Sequence, residues 1–237
     1  MTEVLMVDGL TRSFKGFELK NISFRLDQGY IMGLVGPNGS GKTTTIKLIL
    51  NMIKKDAGII NVAGNDSEKS EVAVKELIGY VSDENMFVEE WKVYDVKQVL
   101  SSYYRTFDAA KFDKYIKNFD LPAGRKIKDF SKGMKTKLML AAALSRDTKL
   151  LLLDEPTSGL DPVIRTELLD ILQEYISDGR RSVLFSTHIT TDLEKIADYI
   201  TFINRGKLIF TKDKDSAIES YLAVKGSDES FDDIKDI

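Results

Sequence analysis

Apolar residues follow two rhythms along the chain, and each change of rhythm marks a change of element. Segments 4–7, 18–24 and 30–35 are short and β-rich, with turn material such as Asp27-Gln28-Gly29 between them, which predicts a hairpin-rich beginning. Leu150-Leu151-Leu152-Leu153 and Ser182-Val183-Leu184-Phe185-Ser186 are continuous apolar runs, the pattern of parallel strands buried on both faces. Helical spacing covers 43–52 and 164–177, and Thr191-Asp192-Leu193-Glu194 reads as a capping box that opens a helix towards Tyr199. From about 88 to 120 the chain is charged and aromatic at helical spacing with no strand pattern. We therefore expect a helical insertion in an α/β core.

Composition narrows this picture. The 237 residues are 43% hydrophobic and 30% charged, enough to bury a core without staples and unlike a disordered chain. The longest apolar run, 138–144, has seven residues, whereas a bilayer span needs about 20, and Met1-Thr2-Glu3-Val4 lacks the form of a signal peptide. Absence of cysteine excludes disulfides, iron–sulfur clusters and thiol catalysis, and fits a reducing cytosol. Net charge is −3, yet five acids against Lys235 make residues 226–237 a −4 tail, so the rest carries +1. A near-neutral body lacks the electrostatic footprint of a nucleic-acid binder. The tail is either a solvated end or a partner contact.

Gly36-Pro37-Asn38-Gly39-Ser40-Gly41-Lys42-Thr43 matches G-x-x-x-x-G-K-[ST] between an apolar strand and a helical pattern. Glycines are needed there because backbone N–H groups must turn inward onto phosphate oxygens, helped by the following helix's positive end. Lys42 is placed to reach the β- and γ-phosphates, and the Thr43 hydroxyl to meet Mg²⁺. Asp154 and Glu155 close a buried strand: Asp154 is expected to hold Mg²⁺ through water, and Glu155 to polarise the attacking water. His188, the only histidine, directly follows another strand, a position that faces the ligand crevice in parallel sheets.

Together these segments resemble the ATP-binding subunits of ABC transporters over roughly residues 3–222. Gly36 to Thr43, with Thr44, looks like the family's Walker A, and 150–155 like its Walker B with the catalytic glutamate. Ser158-Gly159-Leu160-Asp161 is similar to its D-loop, His188 falls on its switch histidine, and Phe14 on the aromatic that stacks on adenine. Phe130-Ser131-Lys132-Gly133-Met134, with Ser131 placed 23 residues ahead of Asp154, resembles the ABC signature. Only Ser131 and Gly133 match its usual Leu-Ser-Gly-Gly-Gln. Ser131 can still cap the following helix and bond a γ-phosphate oxygen, while Gly133 lets backbone N–H approach it. Lys132 either attracts nucleotide or faces water. Asp83 stands where the family usually has glutamine, and we expect it to ligate Mg²⁺ more strongly than a neutral amide.

The resemblance implies a P-loop fold of the ABC ATPase type: a mixed, largely parallel sheet with an antiparallel β subdomain (about 1–83 and 135–225), a helical subdomain (about 84–134) and the 226–237 tail. It implies ATP and Mg²⁺ as ligands, and two ATP molecules sandwiched between two subunits, identical or different, each loop facing the partner's signature. Asp161 is then expected to report one site's state across the interface. It further implies an integral-membrane permease whose helix docks near Asn85, Met86, Phe87, Glu90, Trp91 and Tyr94, and a place on the cytoplasmic face of the membrane. Both departures are similar in wording to a bacterial subgroup with ABC-2 partners, mainly exporters of peptides, antibiotics or lipid-linked molecules. A non-transport ABC ATPase acting on ribosome or DNA is the alternative, although such proteins usually pair two domains or insert a long coiled coil, neither of which occurs in these residues. A small-molecule kinase would leave Ser131, Gly133, Asp161 and His188 unexplained, and a P-loop protein that only binds ATP would not explain Glu155.

Overall fold

Alternating apolar residues build the first hairpin of the computed structural model, which describes residues 2–220. In β1 (Glu3–Phe14) and β2 (Phe17–Asp27), Leu5, Val7, Leu10, Leu19, Ile22 and Phe24 are buried, and the strands pair antiparallel with Val7 opposite Phe24. There follow β3 (Ile31–Val35), α1 (Lys42–Ile49), β4 (Ala57–Val62), β5 (Asn65–Asp66), α2 (Glu71–Leu77) and β6 (Ile78–Val81). The middle of the chain forms α3 (Val93–Tyr103), α4 (Ala109–Asn118) and α5 (Lys132–Leu144). Then come β7 (Leu150–Asp154), α6 (Pro162–Ile176), β8 (Ser182–Thr187), α7 (Thr190–Ile196), β9 (Tyr199–Asn204), β10 (Lys207–Asp213) and α8 (Lys214–Ser220).

Two sheets result. One is antiparallel, in the order β2-β1-β4-β5; the other runs β10-β9-β3-β8-β7-β6, parallel except for β10. This is the expected α/β architecture. Every residue of β7 and β8 is buried, and alternate side chains enter different cores. Leu150, Leu152 and Leu184 pack with the antiparallel sheet and α1, whereas Leu151, Leu153, Val183 and Phe185 pack with α5, α6 and the insertion. Register places Val35 beside Thr187 and Asp154 beside Ser186, so the chain leaves three neighbouring strands at one edge and carries Gly36, Glu155 and His188 there.

The insertion is helical, as its spacing predicts. It has no separate core: Val96, Phe112 and Ile127 belong to the apolar cluster that contains Leu151 and Phe185. Helix α5 starts within the signature-like segment and continues unbroken to Leu144, against β6 and the core, across the expected 134/135 boundary.

Some boundaries differ from expectation. Helix α1 ends at Ile49 rather than near 52, and Asn51 already takes a left-handed φ of 52°. Helix α7 starts at Thr190 after Ile189, with no side-chain cap. Thr191 and Asp192 instead accept hydrogen bonds from the Arg165 guanidinium, so the expected capping box does not form. The expected helix itself is present and ends at Ile196, just short of Tyr199, which begins β9. Met1, 221–225 and the acidic 226–237 segment lie outside the described residues. Among the described residues no helix is long and apolar enough to cross a membrane.

Phe112 is fully buried at the junction of insertion and core. Phe112→Ala is expected to cost about 3–5 kcal/mol, read by urea denaturation, with a single transition retained. A separate early transition confined to the insertion would contradict the shared core.

Candidate functional site

The turn between β3 and α1 is residues 36–41, and two close backbone approaches hold it. A Cβ on Gly36 would lie 2.1 Å from the Ile203 carbonyl oxygen, and one on Gly206, at φ +73°, 1.8 Å from that of Glu18. The Gly206 N–H donates to Ser40 O at 2.9 Å, so the β9–β10 turn closes over the loop. The Ser40 hydroxyl is buried without a hydrogen-bond partner, a donor suited to an incoming acceptor. Lys42, 5% exposed, folds back over the loop and donates from Nζ to Gly36 O at 2.8 Å and Pro37 O at 3.4 Å. A buried ammonium over inward-turned backbone is a site for phosphate.

Acidic groups meet this loop from β7. Asp154 is buried, and its Oδ1 accepts from the Thr43 hydroxyl at 3.0 Å and the Ser186 hydroxyl at 2.7 Å. Ser186 Oγ in turn accepts the Glu155 N–H at 2.9 Å. Glu155 takes a left-handed φ of 49°, uncommon for a non-glycine residue and a conformation that the surrounding bonds must maintain. Its carboxylate lies between two partners, with Oε1 3.2 Å from Lys42 Nζ and Oε2 2.8 Å from His188 Nδ1. Nearby, burial raises the pKa of the Tyr80 phenol, and the Asp154 charge adds to the rise.

A cavity of about 630 Å³ brings together Asn38, Gly39, Ser40, Gly41, Lys42, Thr43, Thr44, Asp83, Glu155 and His188. Phe17 and Ser158 also line it. Phe14 does not; it is exposed at the end of β1, its ring centroid 6.3 Å from that of Phe17 and beneath the Arg12 guanidinium. Sequence reasoning did not single out Phe17, Gly206 or the bonds of Ser186; the aromatic pair Phe14/Phe17 around a two-residue turn was the available signal.

Of the other expected residues, Gly36, Pro37 and Asp154 do not line this cavity but are bonded to Lys42 or Thr43, which do, whereas Ser131, Gly133 and Asp161 are placed elsewhere. Ser131 caps α5, accepting the Met134 N–H at 3.2 Å. Gly133 is buried against α6, where a Cβ would come within 2.8 Å of Ile164 Cδ1. Asp161 caps α6 ahead of Pro162, accepting from Val163 and Ile164 N–H.

The ABC transporter family profile matches residues 19–158, more than half the chain. This chain belongs to the ABC transporter ATP-binding family. It is 32% identical over 219 residues to the lantibiotic transport ATP-binding protein SrtF of Streptococcus pyogenes, covering 90% of this chain and 93% of that one. Identity to the ABC transporter ATP-binding protein YtrB of Bacillus subtilis is 31% over 207 residues, covering 87% and 70%. The daunorubicin resistance ATP-binding protein DrrA3 of Streptomyces coeruleorubidus is 32% identical over 214 residues, covering 86% and 66%. A solved ATP-binding subunit of an ABC transporter superposes with a TM-score of 0.83 at 25% identity, over 97% of this chain and 98% of that one. The ADP- and phosphate-bound dimer of the ATP-binding cassette MJ0796 superposes at 0.79 with 19% identity, over 88% and 98%, a likeness of fold.

For an ABC ATP-binding subunit the donors fit a hard divalent cation: the Thr43 hydroxyl with the Asp154 and Asp83 carboxylates offers oxygen only. Among the described residues no group of three or more His, Cys, Asp or Glu side chains could hold a metal alone. The nucleotide's own oxygens would have to complete the shell.

A second concavity, about 300 Å³, lies between the sheet and the insertion, lined by Met52, Tyr80, Met86, Phe87, Leu100 and Tyr104 among others. Its floor includes Arg146, whose guanidinium stacks 3.5 Å from the Tyr104 ring centroid and donates to the Ile78, Lys75 and Glu76 carbonyls. The expected partner-facing residues divide here. Phe87 and Trp91 pack on the core, Met86 and Tyr94 are exposed, Asn85 bonds the Phe87 backbone, and Glu90 pairs with Lys126 and Lys128.

Ser186→Ala would leave the Glu155 N–H without its acceptor and take one donor from a buried carboxylate. A loss of about 1–3 kcal/mol in thermal or urea denaturation is expected. An unchanged midpoint would show that water replaces the hydroxyl.

Proposed function

We propose that this ABC subunit hydrolyses ATP and powers transport through a separate membrane permease at the cytoplasmic face of the membrane. The observation that carries this reading is the position of Glu155, held between Lys42 and His188 beside the Thr43–Asp154 bond. The phosphates lie on the backbone N–H groups of 38–43, with Lys42 on the β- and γ-phosphates, the Ser40 hydroxyl meeting an oxygen, and Thr44 following in the first turn of α1. Thr43, Asp154 and Asp83 would hold Mg²⁺, which would supply positive charge to offset that of the phosphates. An incoming phosphate competes with Glu155 for the Lys42 ammonium. Once displaced, the carboxylate can accept a proton from, or orient, a water aimed at the γ-phosphorus, while His188 donates to a γ-phosphate oxygen. Phe14 and Phe17 offer an apolar platform to the base.

Ser131 and Gly133 lie outside their own chain's cavity, which supports completion of each site by a second ATP-binding subunit, with Asp161 at the shared interface. ATP then joins the two chains, and hydrolysis parts them. The groove beside Met86 and Phe87 suits a helix of the permease. The names of SrtF and DrrA3 favour export, of a peptide, antibiotic or lipid-like substrate.

Glu155→Gln is expected to bind ATP normally, to lose about 10²–10⁴-fold in turnover, and to accumulate an ATP-dependent dimer on size exclusion. Near-normal hydrolysis would remove Glu155 from this role. The same tagged variant, extracted in mild detergent with ATP and Mg²⁺, should carry a polytopic membrane protein identifiable by mass spectrometry; ribosomes or nucleic acid in its place would overturn the transport reading.

A further inference from the structure

Two of the positions where this chain departs from the family's usual residues touch each other. Asp83, just past β6, and Lys132, the first residue of α5, form an ion pair with Nζ 2.6 Å from Oδ1. Among the described residues no other side chain bonds Asp83. The lysine stem lies across Gly159, where a Cβ would stand 3.6 Å from Nζ and 3.7 Å from Cδ. One side chain thus links an acid of the nucleotide cavity, the start of the signature helix, and the 158–161 loop.

Each partner has a physical reason to hold the other. A cation in the first turn of a helix meets the positive end of the macrodipole, and a facing carboxylate offsets that. An aspartate lining a phosphate cavity repels the anionic ligand unless a cation neutralises it. Both side chains are over two-fifths exposed, so the pair contributes little to stability and can exchange partners readily.

We propose that Lys132 is a positioning residue that competes with Mg²⁺ for the Asp83 carboxylate, so that metal arriving with nucleotide unties the first turn of α5 from the end of β6. The proposal rests on the reading above in which Asp83 is a metal ligand. An ammonium and a divalent cation on one carboxylate repel each other, and the antagonism is reciprocal: whatever releases Lys132 favours the metal, and the metal releases Lys132. The released turn is the one that begins with Ser131.

The test compares the Kd of a non-hydrolysable ATP analogue in EDTA with its Kd in Mg²⁺, by calorimetry on the purified chain. Their ratio measures what the metal adds, and general loss of positive charge cancels in it. Lys132→Met should raise this ratio about twofold to fivefold, the scale of an exposed ion pair, whereas Lys132→Arg should leave it near the parent value. Asp83→Asn should lower the ratio, and adding Lys132→Met to it should have no further effect. A Lys132→Met ratio equal to the parent's, with Asp83→Asn still lowering it, would overturn the competition and leave Asp83 a ligand. The same shift from Lys132→Met in both backgrounds would also overturn it. An Asp83→Asn ratio equal to the parent's would remove Asp83 from the metal site, and this proposal with it, while the Lys42–Glu155–His188 reading stands.

Discussion

A carboxylate shut away from water must be given partners by the fold, and Asp154 is the group on which the rest of this site hangs. Its partners come from two other elements: Thr43 from the first turn of α1, after the β3 loop, and Ser186 from β8. Satisfying that one buried charge brings three neighbouring strands to a common edge and ties the glycine loop to it. The same serine then takes the N–H of Glu155, whose left-handed backbone turns its side chain between Lys42 and His188. Phosphate loop, acid and histidine are one hydrogen-bonded unit.

A second set of contacts reaches outward from this unit. Asp192, buried on α7, accepts from Thr157 just before the 158–161 loop and from Arg165 on α6. Helix α6 in turn receives Gly133 of α5, and α5 extends from the signature segment to the groove at Met139, Ala142 and Ala143. Nucleotide cavity and groove are therefore joined by close-packed elements with few voids to absorb displacement.

Much of this was legible in the chain because the strongest signals are local. Strands buried on both faces read as unbroken apolar runs, and β7 and β8 lie where those runs are. The phosphate loop announces itself because glycine, lysine and threonine must fall at set intervals. Strand β4 begins Ala57-Gly58 and β10 is half exposed, so neither presents a two-residue alternation strong enough to stand out. The Thr191 box misled because the same side-chain oxygens that can cap a helix can also accept from a distant arginine, and Arg165 lies 27 residues before Asp192 in sequence. Likewise, no spacing rule connects residues 83 and 132. Their pairing appears only when β6 and the start of α5 are set side by side.

Gly133 carries a consequence for genetics. Two demands converge on its missing side chain: close contact with Ile164 within its own chain and, in the function proposed above, the approach of a nucleotide held by another. Any replacement meets Ile164 first, when the single polypeptide folds, and only afterwards at assembly. Alleles at this codon would therefore tend to be scored as protein abundance rather than as catalysis, and suppressors of them should arise at Ile164 before they arise anywhere near the phosphate loop.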